Sequence, residues 1–423
     1  MEKFIFPALQ NSFVKFSLCI LALTAFVSHN VSAQQIPLTA CGTAYTQDFN
    51  TFLGTGLTFP AGWTATFTGT ATYAGTDAGA ANSGGVRAYG VAASGEYALG
   101  ALRSGTSGNI SHTATFVNNT GQTITTLTIA YNFEQWRYGG SNTTGFVVTQ
   151  TGLGAASVAG LSQAGVNLTP AGAVSPPLST PKSLVLSGLS VPPCGTFTLT
   201  WTTDDAAGSE NGVGVDDFSI TPSSCVQNQT QVAAVTGSPF CLPAAGSPIS
   251  LSFSLPNATA AFLTTNTFTA QLSDASGSFA SPTTIGTLSG AAAGTIAGTL
   301  PSGTADGIGY RIRVISSCAS IPAASYLDNG TNIIIANQPV ISSAVSSCVT
   351  GAGSGRITVT ATGSNLQYAL NAGAYQASNV FNSLPDGTYS VTVRTSIAPA
   401  CSATQSALVL NCSCTAGAGT FPW

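Results

Sequence analysis

Beyond residue 33 this sequence contains one lysine, Lys182, and three glutamates, Glu96, Glu134 and Glu210. Lysine and glutamate ordinarily cover the exposed faces of helices. Here Gly, Ser, Thr, Ala and Val fill the chain instead, so strands and turns are what it can build. The alternation of half-buried strands is plain in "YSVTVR", where Tyr389, Val391 and Val393 share a face. It recurs in "YRIRVIS", where Tyr310, Ile312 and Val314 lie opposite Arg311 and Arg313, two arginines expected on a solvated face.

The texture changes twice along the chain. Residues 34–225 are rich in aromatics and hold Trp63, Trp136 and Trp201, enough for one jelly-roll sandwich. Residues 226–336 are Thr/Ser/Ala-rich, with turns at "SDASGS" and "LPSGTADG", and 337–414 form a shorter unit around "GRITVTATG" and "LPDGTYSVTV". Both have the size and turn spacing of Ig-like sandwiches. The expected fold is therefore all-β, a concanavalin-like jelly roll followed by two Ig-like modules, with a tail at 415–423.

Residues 1–33 read as a secretory leader. Lys3 and Lys15 precede the apolar run "FSLCILALTAFV", and "VSA" puts small residues ahead of a cut after Ala33. That run is too short to span a bilayer, and no longer one follows, so no membrane span is expected in the exported chain. Past the leader, thirteen acidic residues face seven arginines and one lysine. Nucleic acid and anionic lipid demand clustered positive charge, so this balance argues against both as partners.

Catalysis has little to work with. The single histidine beyond the leader, His112, starts the alternating segment "SHTATF", and no Gly-x-Ser-x-Gly elbow exists, so His112 is expected to be an ordinary strand residue. Retaining hydrolysis of sugars requires two carboxyl groups about 5 Å apart. The residues two and four beyond Glu134 are Trp136 and Tyr138, so no glutamate pair arises on that strand. An aspartate could still complete such a pair in space, but no catalytic motif supports it, and no catalytic residue is assigned.

Nine cysteines remain after the leader, without zinc spacing, and in an exported chain they read as disulfides. Cys348 and Cys401 bracket the third unit, whose small core benefits from a staple, and are expected to pair with each other. An odd count leaves one cysteine over, and an N-terminal portion of a longer product, with a partner for Cys412 or Cys414 beyond it, is the expectation.

Two stretches carry binding chemistry. In "LTIAYNFEQWRY", Leu127, Ile129, Tyr131 and Phe133 make a core face, and Asn132, Glu134, Trp136 and Tyr138 point the other way. An aromatic ring beside an amide and a carboxylate is what a sugar platform needs. The competing reading pairs Glu134 with Arg137 beneath a loop. By the same default, Glu96 pairs with Arg87 or Arg103. In "DDAAGSENGVGVDDFSI", Val213 and Val215 share one face, but Phe218 and Ile220 share the other. The parity flip across Asp216 and Asp217 predicts a bulge, which would turn both carboxylates toward a hard cation such as Ca²⁺. Alternatively these acids only cap turns.

The strings "NTFTAQLSDASGSFASPTTIGTLSG" and "LPSGTADGIGYRIRVIS" resemble a repeat module of large secreted proteins of Bacteroidota, the group that uses type IX secretion. "GRITVTATGSNLQYALNAGAYQASNVFNSLPDGTYSVTVRT" is similar to the short Ig-like repeat of gliding-motility adhesins. "ALGALRSG", "FVNNTGQTITTLTIAYNFEQWR" and "GVGVDDFSI" resemble the concanavalin-like jelly roll at the front of such proteins, and "QDFN" with "GVDDFSI" is similar to the first and last strands of MAM domains. The resemblance implies a secreted or cell-surface protein that adheres to or recognises glycans or other surface proteins. Its alternative is the ancillary binding region of a glycan-degrading enzyme whose catalytic domain lies elsewhere. It also implies a structural calcium between first and last strands, adding Asp48 to Asp216 and Asp217.

Overall fold

The computed structural model describes residues 34–53, 58–141, 143–204, 208–349 and 355–412. Residues 1–33, expected to be a leader, Asp205, Cys414 and residues 415–423 lie outside them. The regular structure of the described residues is β-strand, apart from two single 3₁₀ turns at Ala159–Leu161 and Ala323–Ser325. Among the described residues no helix is long and apolar enough to cross a membrane.

Among the described residues twelve strands build the first module: β1 (Ile36–Leu38), β2 (Tyr45–Gln47), β3 (Trp63–Phe67), β4 (Tyr73–Asp77), β5 (Gly85–Tyr89), β6 (Ala98–Leu102), β7 (Ile110–Asn118), β8 (Gln122–Tyr138), β9 (Phe146–Thr151), β10 (Gly172–Val191), β11 (Thr196–Thr203) and β12 (Gly212–Gln227). They form a five-stranded sheet ordered β1-β7-β11-β9 with β3 also on β7, and a seven-stranded sheet ordered β10-β8-β12-β6-β5-β4 with β2 also on β12. Alternation places one face of strands such as β7, β8 and β11 inside, whereas β5 and β6 are buried on both faces. Leu127, Ile129, Tyr131 and Phe133 are all buried, as their parity requires. Trp63 stacks on Trp201 at 5.4 Å between centroids, and Phe218 meets both edge-on. His112 lies on the core face of β7 between Ile110 and Ala114, edge-on to Phe146.

The second module spans 230–337, with a seven-stranded and a three-stranded sheet. The third, 340–410, has two three-stranded sheets. Tyr310, Ile312 and Val314 are buried in one core, and Tyr389, Val391 and Val393 in the other. The outward arginines of "YRIRVIS" have partners where solvent was expected. Arg311 bridges Asp328 at 3.5 Å, and Arg313 lies 4.4 Å over the Phe279 ring.

The disulfides depart from the expected pairing. Cys401 is bonded to Cys241, and Cys348 to Cys412; the others are Cys41–Cys225 and Cys194–Cys318. Cys348 does staple the third module, but through Cys412, the second residue past its last strand. Cys401 lies in a small buried cluster with Ala336 and Ala398, where the second and third modules abut, so its nearest sulfur belongs to another module. The first and second modules meet through a polar contact, the Ala261 N–H donating to Thr123 Oγ1 at 2.8 Å, and through the Cys194–Cys318 bond. Four disulfides among the described residues are the chemistry of an oxidising, extracytoplasmic compartment.

Candidate functional site

Strand β12 changes partners halfway along. Its first half, Gly212–Val215, pairs with Leu102–Leu99 of β6, and its second, Phe218–Ile220, pairs with Gln47–Tyr45 of β2. Asp216 and Asp217 sit at the changeover. On the other side β8 stays paired throughout, but the register slips between Asp216, opposite Asn132, and Ser219, opposite Ala130. This is the bulge that the parity flip predicted. Asp217 absorbs it in the left-handed region at φ 47°, which a short polar residue tolerates.

Acidic residues converge on the gap between β6 and β2. Glu96 enters from just before β6, and Asp48 from just after β2. Glu96, Asp216 and Asp217 each offer a carboxylate oxygen within 4.8 Å of the others. Asp48 is not in that triad; it faces Asp217 across a shallow cleft also lined by Thr46, Gln47 and Phe218. Asn50 ties the two loops together. Its Oδ1 accepts the Tyr97 N–H at 2.8 Å, and its Nδ2 donates to Glu96 Oε2 at 3.4 Å. Glu96 and Asn50 escaped the sequence reading as site residues, although Glu96 is one of just three glutamates beyond residue 33.

The expected sugar platform lies on the same face, in a different arrangement. Asn132 Nδ2 donates to Asp217 Oδ2 at 2.9 Å, which joins it to the acidic triad. Glu134 is half-buried and accepts the Trp136 indole N–H at 2.7 Å, and among the described residues it has no arginine partner. Arg87 instead pairs with Asp77, and Arg103 with Glu210. Trp136 and Tyr138 are buried, 6 % and 7 % exposed, so neither ring is an open platform. The cause is tertiary. Trp136 stacks on Tyr89 with planes 7° apart, and Gly79, in the loop between β4 and β5, lies against the Trp136 carbonyl so closely that a Cβ there has no room. The Tyr89 ring in turn lies so close to Gly100 that a Cβ there has no room.

Electrostatics distinguish the carboxylates. Asp216 is 3 % exposed. Burial pushes its carboxyl up to about 8; the Asp217 N–H opposes this, and the charges of Glu134, Asp217 and Glu96 add to it. Burial likewise raises Glu134, partly offset by the Trp136 indole. The ion pairs of the described residues bring no cationic side chain to this group. His112 is the opposite case, a neutral imidazole held down to about 3 by burial, with neither ring nitrogen completing a hydrogen bond.

These features define a disulfide-bonded, multi-module β protein with an acidic site at a strand changeover. No protein-family model matches the chain, and no curated protein does. Among solved structures it is similar to the C-terminal fragment of intimin in complex with the intimin-binding domain of the translocated intimin receptor, at 14 % identity and TM-score 0.27. That likeness covers 42 % of this chain and 65 % of the fragment. The adhesin domain of Epf from Streptococcus pyogenes follows at 11 % and 0.25, covering 58 % and 78 %. The Endo-D glycoside hydrolase domain from Streptococcus pneumoniae stands at 13 % and 0.23, covering 70 % of this chain and 44 % of that one. Likenesses this distant assign neither family nor activity.

Proposed function

We propose that the protein works by contact outside the cytoplasm, in adhesion or recognition, with a calcium ion at the changeover of β12 and with glycans or other surface proteins as partners. The observation that carries this reading is the convergence of Glu96, Asp216 and Asp217 in a chain that is 6 % charged. A buried carboxylate beside two others is costly unless a cation or several donors compensate it, and Ca²⁺ takes carboxylate oxygens in flexible geometry. Asp48, Asn132 and Glu134 edge the same face and offer it further oxygens. The ion would brace the junction of the two loops and fix the polar edge that a partner meets.

No catalytic role is proposed for these acids. The Glu134 carboxylate is engaged by Trp136, and the buried His112 supplies no base. A second reading, the binding portion of a glycan-degrading protein, uses the same polar edge of Asn132 and Glu134. The test is a glycan array and a polysaccharide hydrolysis assay on the exported chain, each with millimolar calcium and with EDTA. Calcium-dependent binding without product release supports the proposal. Released sugar would replace it with an enzyme, and binding indifferent to EDTA would remove the metal from it.

A further inference from the structure

We infer that the four disulfides turn the chain into a covalent strap that carries tension past its folded modules. Two of them join points where force would enter and leave a module. Cys41 lies between the first two strands of the first module and Cys225 on its last strand. Cys348 ends the first strand of the third module, and Cys412 follows its last. The remaining two bonds cross between modules, Cys194 to Cys318 and Cys241 to Cys401.

Tracing bonds from Cys41 to Cys412 gives a short route. It crosses to Cys225, follows the backbone to Cys241, crosses to Cys401, and follows the backbone again to Cys412. A second route runs in parallel, back along the backbone from Cys225 to Cys194, across to Cys318, on to Cys348 and across to Cys412. The first crossing alone bypasses a sequence separation of 184, and the second one of 160. At roughly 3.5 Å per extended residue, the oxidised strap reaches about 100 Å however many strands are torn apart, against about 1,300 Å for the reduced chain.

Hydrogen-bonded strands peel apart under forces that leave covalent sulfur bonds intact, so the bonds limit extension. Strands β2 to β11 and β12 as far as Cys225 lie inside the Cys41–Cys225 loop and hang beside the line of force, whereas β1 lies outside it, and the acidic face on β12 keeps its shape under load. The two routes back each other up, whereas Cys41–Cys225 has no substitute. None of this depends on whether the site binds calcium.

Single-molecule pulling of residues 34–423 between terminal handles, oxidised and then with a phosphine reductant, tests it. The oxidised chain should show no release longer than a few nanometres, and the reduced one should lengthen by about 120 nm. Paired replacement of Cys241 and Cys401 by serine leaves the second route and should add only about 12 nm, whereas Cys41→Ser with Cys225→Ser should add about 55 nm. Full stretch reports connectivity, so the comparison holds for a variant that is poorly folded, and reduction of the folded wild type provides the second measurement. Release of most of the chain's length from oxidised wild type, or equal lengthening in both paired variants, would overturn the inference.

Discussion

Cys241 and Cys401 are bonded across 160 residues of sequence, their Cα atoms 5.3 Å apart, and they join the second module to the third. The bond sits where Ala336, Ala398 and Ile397 close over the junction, and Gln338 N–H donates to the Leu242 carbonyl beside it. Peptide mapping without reduction should therefore recover a Cys241–Cys401 pair and a Cys348–Cys412 pair. A Cys348–Cys401 peptide would contradict the structure. Closed loops of 64 to 184 residues each contribute about 4–5 kcal/mol in the chain-entropy model, so full reduction should lower stability in all three modules.

Calcium should stabilise the first module. A cation bound only by the folded form adds about 2.7 kcal/mol at a hundredfold excess over Kd. Melting in EDTA should come several degrees lower than in millimolar calcium. Glu96→Gln and Asp217→Asn should abolish the difference, and Asp48→Asn, outside the tight triad, should only reduce it. Identical melts for wild type in both buffers defeat the metal site.

The metal-free protein should also respond to pH through Asp216. Its folded pKa, about 8, lies above the ordinary carboxylate value, so the folded state holds the proton more tightly than the unfolded one. That stability is fully present below about pH 4 and is lost as pH rises toward 8. Urea titrations in EDTA should show it, and Asp216→Asn should flatten the slope. A slope unchanged in the variant would mean that another group titrates.

His112 acts in the reverse direction. Its folded pKa of about 3 lies below the ordinary 6.5, so its contribution is complete above pH 6.5 and declines as pH falls toward 3. The decline should approach about 1.4 kcal/mol per pH unit for a single proton. His112→Leu should remove this acid limb in a denaturation series between pH 6.5 and 4, and a limb that persists would rule out His112 as its source.

Replacing Trp136 should affect folding. Because its ring is buried against Tyr89, Trp136→Ala should cost about 3–5 kcal/mol of stability. A variant with wild-type melting and lost glycan binding would restore Trp136 as an open platform.

How far the sequence reached follows from what is local. Alternation belongs to the pleat, so "LTIAYNF" named its own core residues, and the parity flip at Asp216 and Asp217 located a bulge before any neighbour was known. Scarcity of Lys and Glu ruled out helices on surface chemistry alone. What the sequence could not carry is which distant segments abut. Glu96 reaches the site because β6 and β2 share one side of β12 and leave a gap between them, a fact of strand order. Trp136 is buried because the loop between β4 and β5 folds over an outer face that strand parity assigns to solvent. Cys401 finds Cys241 because two modules dock against each other, and sulfur pairing depends on Cα atoms coming within about 5–6 Å in space, which spacing along a chain does not encode.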